Sequence, residues 1–364
     1  MAEPSRQIAV DARELLGQPT GVGRYLLEVL REWTRDDAFP HRLSLIVPAE
    51  PSPALARELG GRVSWTLVPG LRGTAWEQWQ LPRAVRHVGA DVLFAAAYTA
   101  PIVRASPYVV AIYDVSYFAH PEWFSAREGA RRRWLTRAAA ARAASIVTIS
   151  DFSAAEIRHW LKVPPGRIVL APPGAPQIRP AAPAMGTTVL YVGSLFTRRH
   201  IPELIRGFAR FAATTPGARL VLVGDNRTTP RIDPARVAAE VGVADRVDWR
   251  AYVSDEELDR LYASARVFAF LSDYEGFAMT PLEALARGVP SILLDTPVGR
   301  EVYGDAAHFV ETTPDSIASG LAALSMDSPA RDAALAAGRR RLEAFSWRQT
   351  ADTIRIALER AASA

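Results

Sequence analysis

The chain has 364 residues, of which 49% are apolar, and this is enough to build two domains of ordinary size, each with its own core. It contains no cysteine, which excludes disulfides and thiol chemistry, and no uncharged apolar run of about 18 residues, which a membrane-spanning helix needs. The net charge is only +4, and no basic stretch is interleaved with aromatic residues as in many nucleic-acid-binding proteins, so we expect no nucleic-acid partner.

The first residues lead directly into a strand pattern at Ile8–Asp11 and do not resemble a signal peptide, which favours a cytoplasmic chain. A glycine-rich loop, Gly17–Arg24, and a helical pattern follow. Gly21 and Gly23 let the backbone approach an anion, although a plain tight turn explains them equally well. Strand and helix patterns then alternate as far as Phe94, which predicts a parallel sheet.

The rest of the first half contains a tryptophan-bearing helix and a strand with a polar end. The helix is predicted over Trp76–Val88, with Trp76 and Trp79 packed inward and ligand binding as the alternative for these side chains. The strand begins at Tyr108 and ends in Tyr113 and Asp114. Tyrosine can donate a hydrogen bond, but its ordinary pKa of about 10 makes it a poor general base.

A helix predicted over Arg127–Arg142 carries six arginines against one acid, Glu128. A solvated face explains this charge, and so does a surface that binds an anionic partner. The next helix is predicted to start with Ser153 as its cap and Glu156 at the third position.

Five prolines in the segment 172–186 predict a linker between two domains. The second half opens with a strand over Thr188–Val192 and a loop that carries Arg198 and Arg199. Two cations in a strand-to-helix loop are placed to pair with a diphosphate, and surface arginines are the alternative. Further strands are predicted at Leu220–Gly224 and Val247–Val253, and Ser254 is predicted to cap the helix that follows.

The most informative stretch begins with a buried strand at Val267–Leu271. A loop with Glu275 follows, and then a helix whose predicted cap is Thr280 and whose first turn carries Glu283. Backbone N–H groups at such a helix start suit phosphate, and carboxylates accept hydrogen bonds from hydroxyls, so the stretch suits a nucleotide sugar. The alternative is that Glu283 only completes a capping box while Glu275 is solvated.

The 23 residues Phe268–Pro290, in which seven residues separate Glu275 from Glu283, resemble the E-x7-E signature of retaining glycosyltransferases of family 4. The Glu-Gly-Phe turn and the Pro-Leu-Glu-Ala helix start resemble it as well. The resemblance implies the GT-B fold, which is α/β with two Rossmann-like parallel-sheet domains, an interdomain cleft and a C-terminal crossover helix. We expect an acceptor-side domain at 1–171, the linker at 172–186, a nucleotide-sugar domain at 187–345, and a helix at 346–364 that crosses back.

The resemblance also implies roles for single residues. Glu283 would bind the ribose hydroxyls, Glu275 the sugar hydroxyls, and Arg198 and Arg199 the phosphates. The remaining donor contacts would come from Gly276, Phe277 and Ala278 at the phosphates, from Gly21 and Gly23 across the cleft, and from Tyr252 and Val253 at the base. The family pattern at these two positions is usually Arg-Lys. Arg199 therefore replaces the compact ammonium group of a lysine with a planar guanidinium group.

The strand end at Tyr113 and Asp114 departs from the family pattern, which is usually His-Asp. Asp114 is retained and Tyr113 takes the place of the histidine. Tyr113 and Asp114 are therefore the candidate catalytic residues of this strand end, with Tyr113 as a hydrogen-bond donor to a sugar hydroxyl where the family has the histidine.

We therefore expect a retaining transfer of a hexose, with mannose favoured, from a nucleoside-diphosphate sugar to an acceptor hydroxyl. The resemblance implies no metal and no cofactor, and a phosphate-assisted, front-face displacement. Lipid-linked acceptors of several relatives, together with the arginines near Trp134, make an anionic membrane surface on the inner leaflet a further expected partner. The alternatives are a non-catalytic sugar-nucleotide-binding partner, or an epimerase or phosphorylase on the same fold.

Overall fold

The alternating strand and helix patterns of the two halves of the sequence form two parallel sheets in the computed structural model, which describes residues 5–17, 21–179 and 186–363. Unit 1 comprises residues 1–174 and 346–364, and unit 2 comprises residues 175–345. Both are α/β units with all strand pairs parallel, so the predicted fold class is confirmed in each. Residues 18–20 of the predicted glycine-rich loop and residues 180–185 of the predicted linker lie outside the described residues.

In the described part of unit 1, seven strands are arranged in the order β3-β2-β1-β4-β5-β6-β7. The strands are β1 (Gln7–Asp11), β2 (Arg42–Val47), β3 (Val63–Leu67), β4 (Val92–Ala95), β5 (Tyr108–Ala111), β6 (Ser145–Thr148) and β7 (Ile168–Leu170). The helices are α1 (Gly21–Arg35), α2 (Pro53–Leu59), α3 (Gly73–Ala75), α4 (Leu81–His87), α5 (Ser116–Ala119), α6 (Ala126–Arg142) and α7 (Asp151–Leu161). The central strands are buried on both faces, as their continuous apolar sequences require.

In the described part of unit 2, six strands are arranged in the order β10-β9-β8-β11-β12-β13. They are β8 (Thr188–Val192), β9 (Arg219–Val223), β10 (Val247–Arg250), β11 (Ala265–Phe270), β12 (Ser291–Leu294) and β13 (Ala307–Val310). The helices are α8 (Ile201–Thr214), α9 (Pro234–Glu240), α10 (Asp255–Ser264), α11 (Thr280–Ala286), α12 (Pro297–Tyr303), α13 (Pro314–Ser325) and α14 (Pro329–Glu343). β8 and β11 are neighbours at the centre of the sheet, so the loops after them lie at one sheet edge.

The last helix, α15 (Trp347–Ser363), packs on unit 1 although it follows unit 2 in the sequence. The indole N–H of Trp33 donates to the Ala351 carbonyl at 3.0 Å, and the His41 ring contacts the Glu359 carboxylate at 2.8 Å. The chain therefore returns to its first unit, as the resemblance implies.

Two local predictions are wrong. Trp79 is 61% exposed, because Trp76–Gln80 forms a π-helical turn that buries Trp76 and turns Trp79 outward. The cap of α7 is Ser150 and not Ser153 as predicted. The Ser150 hydroxyl accepts a hydrogen bond from the Ser153 N–H. Ser254 does cap α10, as predicted.

Within the described residues no helix is long and apolar enough to cross a bilayer.

Candidate active site

The best-defined polar cluster of unit 2 lies where β8 and β11 end. Arg199 belongs to a single 3-10 turn after β8, and Glu275 lies in the loop between β11 and α11. The guanidinium of Arg199 donates to Glu275 Oε1 from Nε at 2.9 Å and lies 2.8 Å from it through Nη2. Ser272 Oγ donates to the same oxygen at 2.9 Å. Residues 76 positions apart are thus joined at one strand-end edge, where open α/β sheets bind ligands.

The two side chains keep each other charged. Burial raises the pKa of Glu275, but Arg199 and Arg198 outweigh it, so the pKa lies below its ordinary value. Burial lowers the pKa of Arg199, but Glu275 outweighs it, so the guanidinium stays protonated. Glu275 is therefore a carboxylate at neutral pH, able to accept hydrogen bonds from hydroxyls. Arg198 lies beside this pair, with its Cζ atom 4.4 Å from the centre of the Phe196 ring.

A histidine that the sequence analysis did not single out for the site lies next to this pair. His200 has a left-handed backbone (φ 49°), and its Nε2 lies 2.8 Å from Asp273 Oδ2. The Asp273 carboxylate raises the pKa of His200 to about 9, with Glu203 contributing as well. The Asp273 N–H donates to the Arg198 carbonyl at 3.0 Å. The loop after β8 and the loop after β11 are therefore joined at Asp273 by a side-chain contact and a backbone hydrogen bond.

The loop between Glu275 and α11 has an unusual backbone at Ala278, where φ is 66°. The neighbouring Phe277 is buried, and its ring meets that of Phe345 at 5.1 Å. The Tyr303 hydroxyl donates to the Ala278 carbonyl. Three residues predicted to contact the donor phosphates, Gly276, Phe277 and Ala278, thus lie directly beside Glu275.

The predicted capping box at α11 is wrong. Thr280 is the first helical residue, Met279 occupies the cap position, and no side chain caps the helix. The Glu283 carboxylate instead accepts from the Tyr262 hydroxyl at 3.1 Å. No side-chain cap is therefore present at the start of α11 for Glu283 to complete a box with, and its carboxylate contacts Tyr262 of α10.

Tyr252 and Val253 lie in the turn between β10 and α10, since β10 ends at Arg250 and not at Val253 as predicted. The Tyr252 side chain is 69% exposed. Beneath this turn, the Trp249 indole N–H donates to the Gly224 carbonyl at 2.9 Å. An exposed ring at this end of the sheet is placed to contact a flat ligand group.

In unit 1, Tyr113 and Asp114 lie beyond the end of β5, which is shorter than predicted. Asp114 accepts from the Tyr98 hydroxyl at 2.9 Å and from the Ser116 N–H at 2.8 Å. Tyr113 is buried, its hydroxyl donates to the Ala96 carbonyl at 2.8 Å, and burial raises its pKa above the ordinary value. Tyr113 would have to give up this bond in order to donate to a sugar hydroxyl.

Gly21 and Gly23 belong to the first turn of α1 rather than to a loop. Close to the end of β1 is a buried cluster that the sequence analysis missed. Arg13 Nη2 lies 2.6 Å from Asp11 Oδ2 and 2.7 Å from Glu77 Oε2, and the Thr99 hydroxyl donates to Glu77 at 2.6 Å. No local pattern could have joined these residues, because Glu77 is 64 positions from Arg13.

The arginine-rich helix α6 is only partly a free basic surface. Arg131 and Arg132 both bind the Glu128 carboxylate, and Arg133 donates to the Tyr117 carbonyl at 3.0 Å. Arg127 is exposed, and Trp134 is 61% exposed. Arg133 is therefore engaged with a backbone carbonyl and is not part of a solvated face. In the described residues no group of three or more His, Asp or Glu side chains is placed to hold a metal ion.

Comparisons with known proteins show the family of the chain. The family model Glycosyltransferase Family 4 matches residues 19–176, and Glycosyl transferases group 1 matches residues 178–341. O-antigen chain mannosyltransferase B of Escherichia coli is 29% identical over 257 residues, which are 66% of this chain and 66% of that protein. GDP-mannose:cellobiosyl-diphosphopolyprenol alpha-mannosyltransferase of Xanthomonas campestris is 28% identical over 46% of this chain and 45% of that protein. The matches thus span less than two thirds of the length of these curated relatives.

Among solved structures, Anabaena HepE in complex with UDP-glucose superposes with a TM-score of 0.75. The sequences are 15% identical, and the alignment covers 99% of this chain and 100% of that one. This likeness shows the fold.

Proposed function

Because this chain belongs to the GT-B glycosyltransferases of the family 4 type, we propose that it transfers a hexose from a nucleoside-diphosphate sugar to an acceptor hydroxyl with retention at the anomeric carbon. The observation that carries the proposal is the buried contact between Arg199 and Glu275 at the ends of β8 and β11. This contact places a carboxylate, which accepts hydrogen bonds from hydroxyl groups, beside a fixed positive charge. A nucleotide sugar needs the first for its sugar hydroxyls and the second for its diphosphate.

Each part of the donor has a partner in the proposed site of unit 2. Arg198 and Arg199 neutralise the diphosphate, and charge-assisted contacts of this kind stabilise a departing phosphate without a metal ion. Glu275 accepts hydrogen bonds from the sugar hydroxyls, and Glu283 accepts them from the ribose hydroxyls. The exposed Tyr252 and the adjacent Val253 contact the base. The leaving phosphate itself assists deprotonation of the acceptor.

GDP-mannose is the proposed donor. The proposal is supported by the names of the relatives, one a mannosyltransferase and one a GDP-mannose-dependent enzyme. The fold relative from Anabaena was solved with UDP-glucose, so the donor base needs a direct comparison.

The different roles proposed for Glu275 and Glu283 can be tested with one substitution at each residue. Glu283→Gln should weaken binding of the bare nucleoside diphosphate, because an amide oxygen is a poorer acceptor for ribose hydroxyls than a carboxylate. Glu275→Gln should leave that binding within about twofold and slow transfer by about 100-fold or more, the typical loss for one transition-state contact. Titration calorimetry and steady-state kinetics separate the two effects. Equal losses in both assays for both variants would contradict the assignment.

The proposed acceptor is lipid-linked, and the proposed docking surface is the exposed face of α6. Arg127 and Trp134 on this face are exposed, and an anionic leaflet contributes roughly 1 kcal/mol per basic residue near its surface. The double variant Arg127→Glu/Trp134→Ser should therefore lose salt-sensitive binding to anionic vesicles in a sedimentation assay. Arg340→Glu, the same charge reversal on an exposed residue of α14, is the matched control and should bind as the wild type does. Full vesicle binding by the α6 variant would point to an acceptor in solution.

A further inference from the structure

The turn that follows Glu275 is held in a backbone conformation that its sequence disfavours. Ala278 has φ 66°, and a residue with a Cβ atom rarely adopts this region. Such a conformation persists only where the surrounding structure fixes it, and it is concentrated at ligand sites. The residue that fixes it here is outside the E-x7-E stretch.

That residue is Tyr303, at the end of α12. Its side chain is 1% exposed, and its hydroxyl donates to the Ala278 carbonyl. Burial raises the pKa of Tyr303 well above its ordinary value, so the hydroxyl keeps its proton. The Ala278 carbonyl would lose this donor if the peptide group turned over, so the bond selects the orientation of the peptide group between Ala278 and Met279.

The peptide orientation has a consequence for the N–H on its other side. In a trans peptide the C=O and N–H groups point in opposite directions. With the Ala278 carbonyl turned to Tyr303, the Met279 N–H is turned away from it, and it has no partner in the described part of the chain. A backbone donor is thereby left available beside Glu275.

Tyr303 is itself held by a second layer of contacts in unit 2. The guanidinium of Arg341 donates to the carbonyls of Glu301 and Val302, the residues that precede Tyr303. The same guanidinium lies 4.9 Å from the centre of the Phe345 ring, which packs against Phe277. Arg341 thus contacts the end of α12, which carries Tyr303. It also contacts the Phe345 ring, which packs against Phe277, the residue before Ala278.

We propose that Tyr303 is a positioning residue for donor binding, whose hydroxyl holds the turn at Ala278 so that the Met279 N–H faces the diphosphate of the nucleotide sugar. This rests on the function proposed above and adds a residue to it. Tyr303 does not touch the donor; it acts through the backbone of Ala278 and Met279.

The first test removes only the hydroxyl. Tyr303→Phe should weaken binding of the nucleoside diphosphate by about tenfold, or ~1.4 kcal/mol, measured by calorimetry well below the melting temperature. The matched control is Tyr108→Phe in unit 1, where another buried tyrosine hydroxyl donates to a helix carbonyl, that of Ala139, at 2.8 Å. Both variants should lose similar stability, and only Tyr303→Phe should lose affinity.

The second test asks whether the lost affinity comes from the backbone of Ala278. Glycine adopts positive φ without a Cβ penalty, so Ala278→Gly in the Tyr303→Phe background should restore at least about threefold of the affinity. Ala278→Val in the otherwise unchanged protein should weaken binding, since β-branched residues are the least tolerant of positive φ. This variant tests the turn even where Tyr303→Phe folds poorly.

The outcomes separate this inference from the proposed function. If the wild type binds none of the four nucleoside diphosphates GDP, UDP, ADP and dTDP, the proposed function fails. If the wild type binds one of them and Tyr303→Phe binds it equally well, the role of Tyr303 is overturned while the proposed function stands. Equal losses for Tyr303→Phe and Tyr108→Phe, or an Ala278→Val variant with unchanged affinity, would overturn it as well.

Discussion

Glu275 remains ionised because positive charge offsets its burial. Burial alone would raise its pKa, and Arg199 and Arg198 lower it below the ordinary value. Removing one partner of such a buried pair typically costs about 3–5 kcal/mol, because the other charge stays buried and uncompensated.

The contact between His200 and Asp273 predicts a pH dependence of stability. Asp273 raises the pKa of His200 from 6.5 to about 9 in the folded protein. The stabilisation is therefore fully present below about pH 6.5 and is lost as the pH rises through about 9. Because both side chains are partly exposed, we expect about 1 kcal/mol after solvent screening.

Urea unfolding of the wild type and of Asp273→Asn measures this difference. The free energies of unfolding should differ by about 1 kcal/mol at pH 6 and converge by about pH 10. Asp295→Asn is the control, because Asp295 pairs with Arg300 at 2.7 Å and an arginine does not lose its proton in this range. A difference for Asp273→Asn that stays constant from pH 6 to pH 10 would show that His200 does not titrate against it.

At the scale of elements, the loop after β8 comes so close to its neighbours that only glycine fits. Gly193 has φ +146°, and a Cβ atom there would lie 2.7 Å from Arg199 Nη1. Gly224, at the end of β9, would place a Cβ atom 2.0 Å from the Gly193 carbonyl oxygen. The segments after two adjacent strands are thus packed closely against each other, beside the Arg199 guanidinium.

Gly193→Ala should therefore displace Arg199 from Glu275 and weaken donor binding. We expect a loss of stability of about 1–3 kcal/mol from the overpacking, together with a raised KM for the donor. Gly242→Ala is the control, because Gly242 also has positive φ (+73°) but nothing lies within 4 Å of the added Cβ atom. It should lose only about 1 kcal/mol from backbone strain and keep the donor KM of the wild type. An unchanged donor KM in Gly193→Ala would show that the position of Arg199 tolerates the extra atom.

Periodicity predicted the elements well because strand and helix patterns are local. β8, for example, lies at the predicted residues, and α10 is capped by the predicted Ser254. The errors occur at element ends, where a single side chain decides, as with Ser150 in place of Ser153. The Phe268–Pro290 stretch identified the candidate site, but the contacts that shape it could not be predicted. His200 reaches Asp273 across 73 positions and Tyr303 reaches Ala278 across 25, and no spacing rule connects them.

At the scale of the whole molecule, α15 is a structural part of unit 1 although it is last in the sequence. Ile354 in this helix is fully buried, whereas Ile356 is 40% exposed. Ile354→Ala should lower the free energy of unfolding of unit 1 by about 2–5 kcal/mol, the usual range for a buried isoleucine. Ile356→Ala, the same change on the same helix, should cost less than about 1 kcal/mol.

Tryptophan fluorescence reports this unfolding selectively, because Trp249 is the single tryptophan in residues 175–345 and the other eight lie in unit 1. The fluorescence transition in urea should shift for Ile354→Ala and hardly move for Ile356→Ala. Equal small shifts would mean that α15 contributes little to the core of unit 1.

The most direct test of the central claim is the release of nucleoside diphosphate from GDP-mannose, UDP-glucose, ADP-glucose and dTDP-glucose, each incubated with the protein and a simple glycoside acceptor. Proton NMR of the product reports the anomeric configuration. The account predicts that one donor is consumed, that the configuration is retained, that turnover persists in EDTA, and that Glu275→Gln slows it by about 100-fold or more. A protein that binds a nucleotide sugar but consumes none, or that consumes one only with inorganic phosphate, would contradict the account.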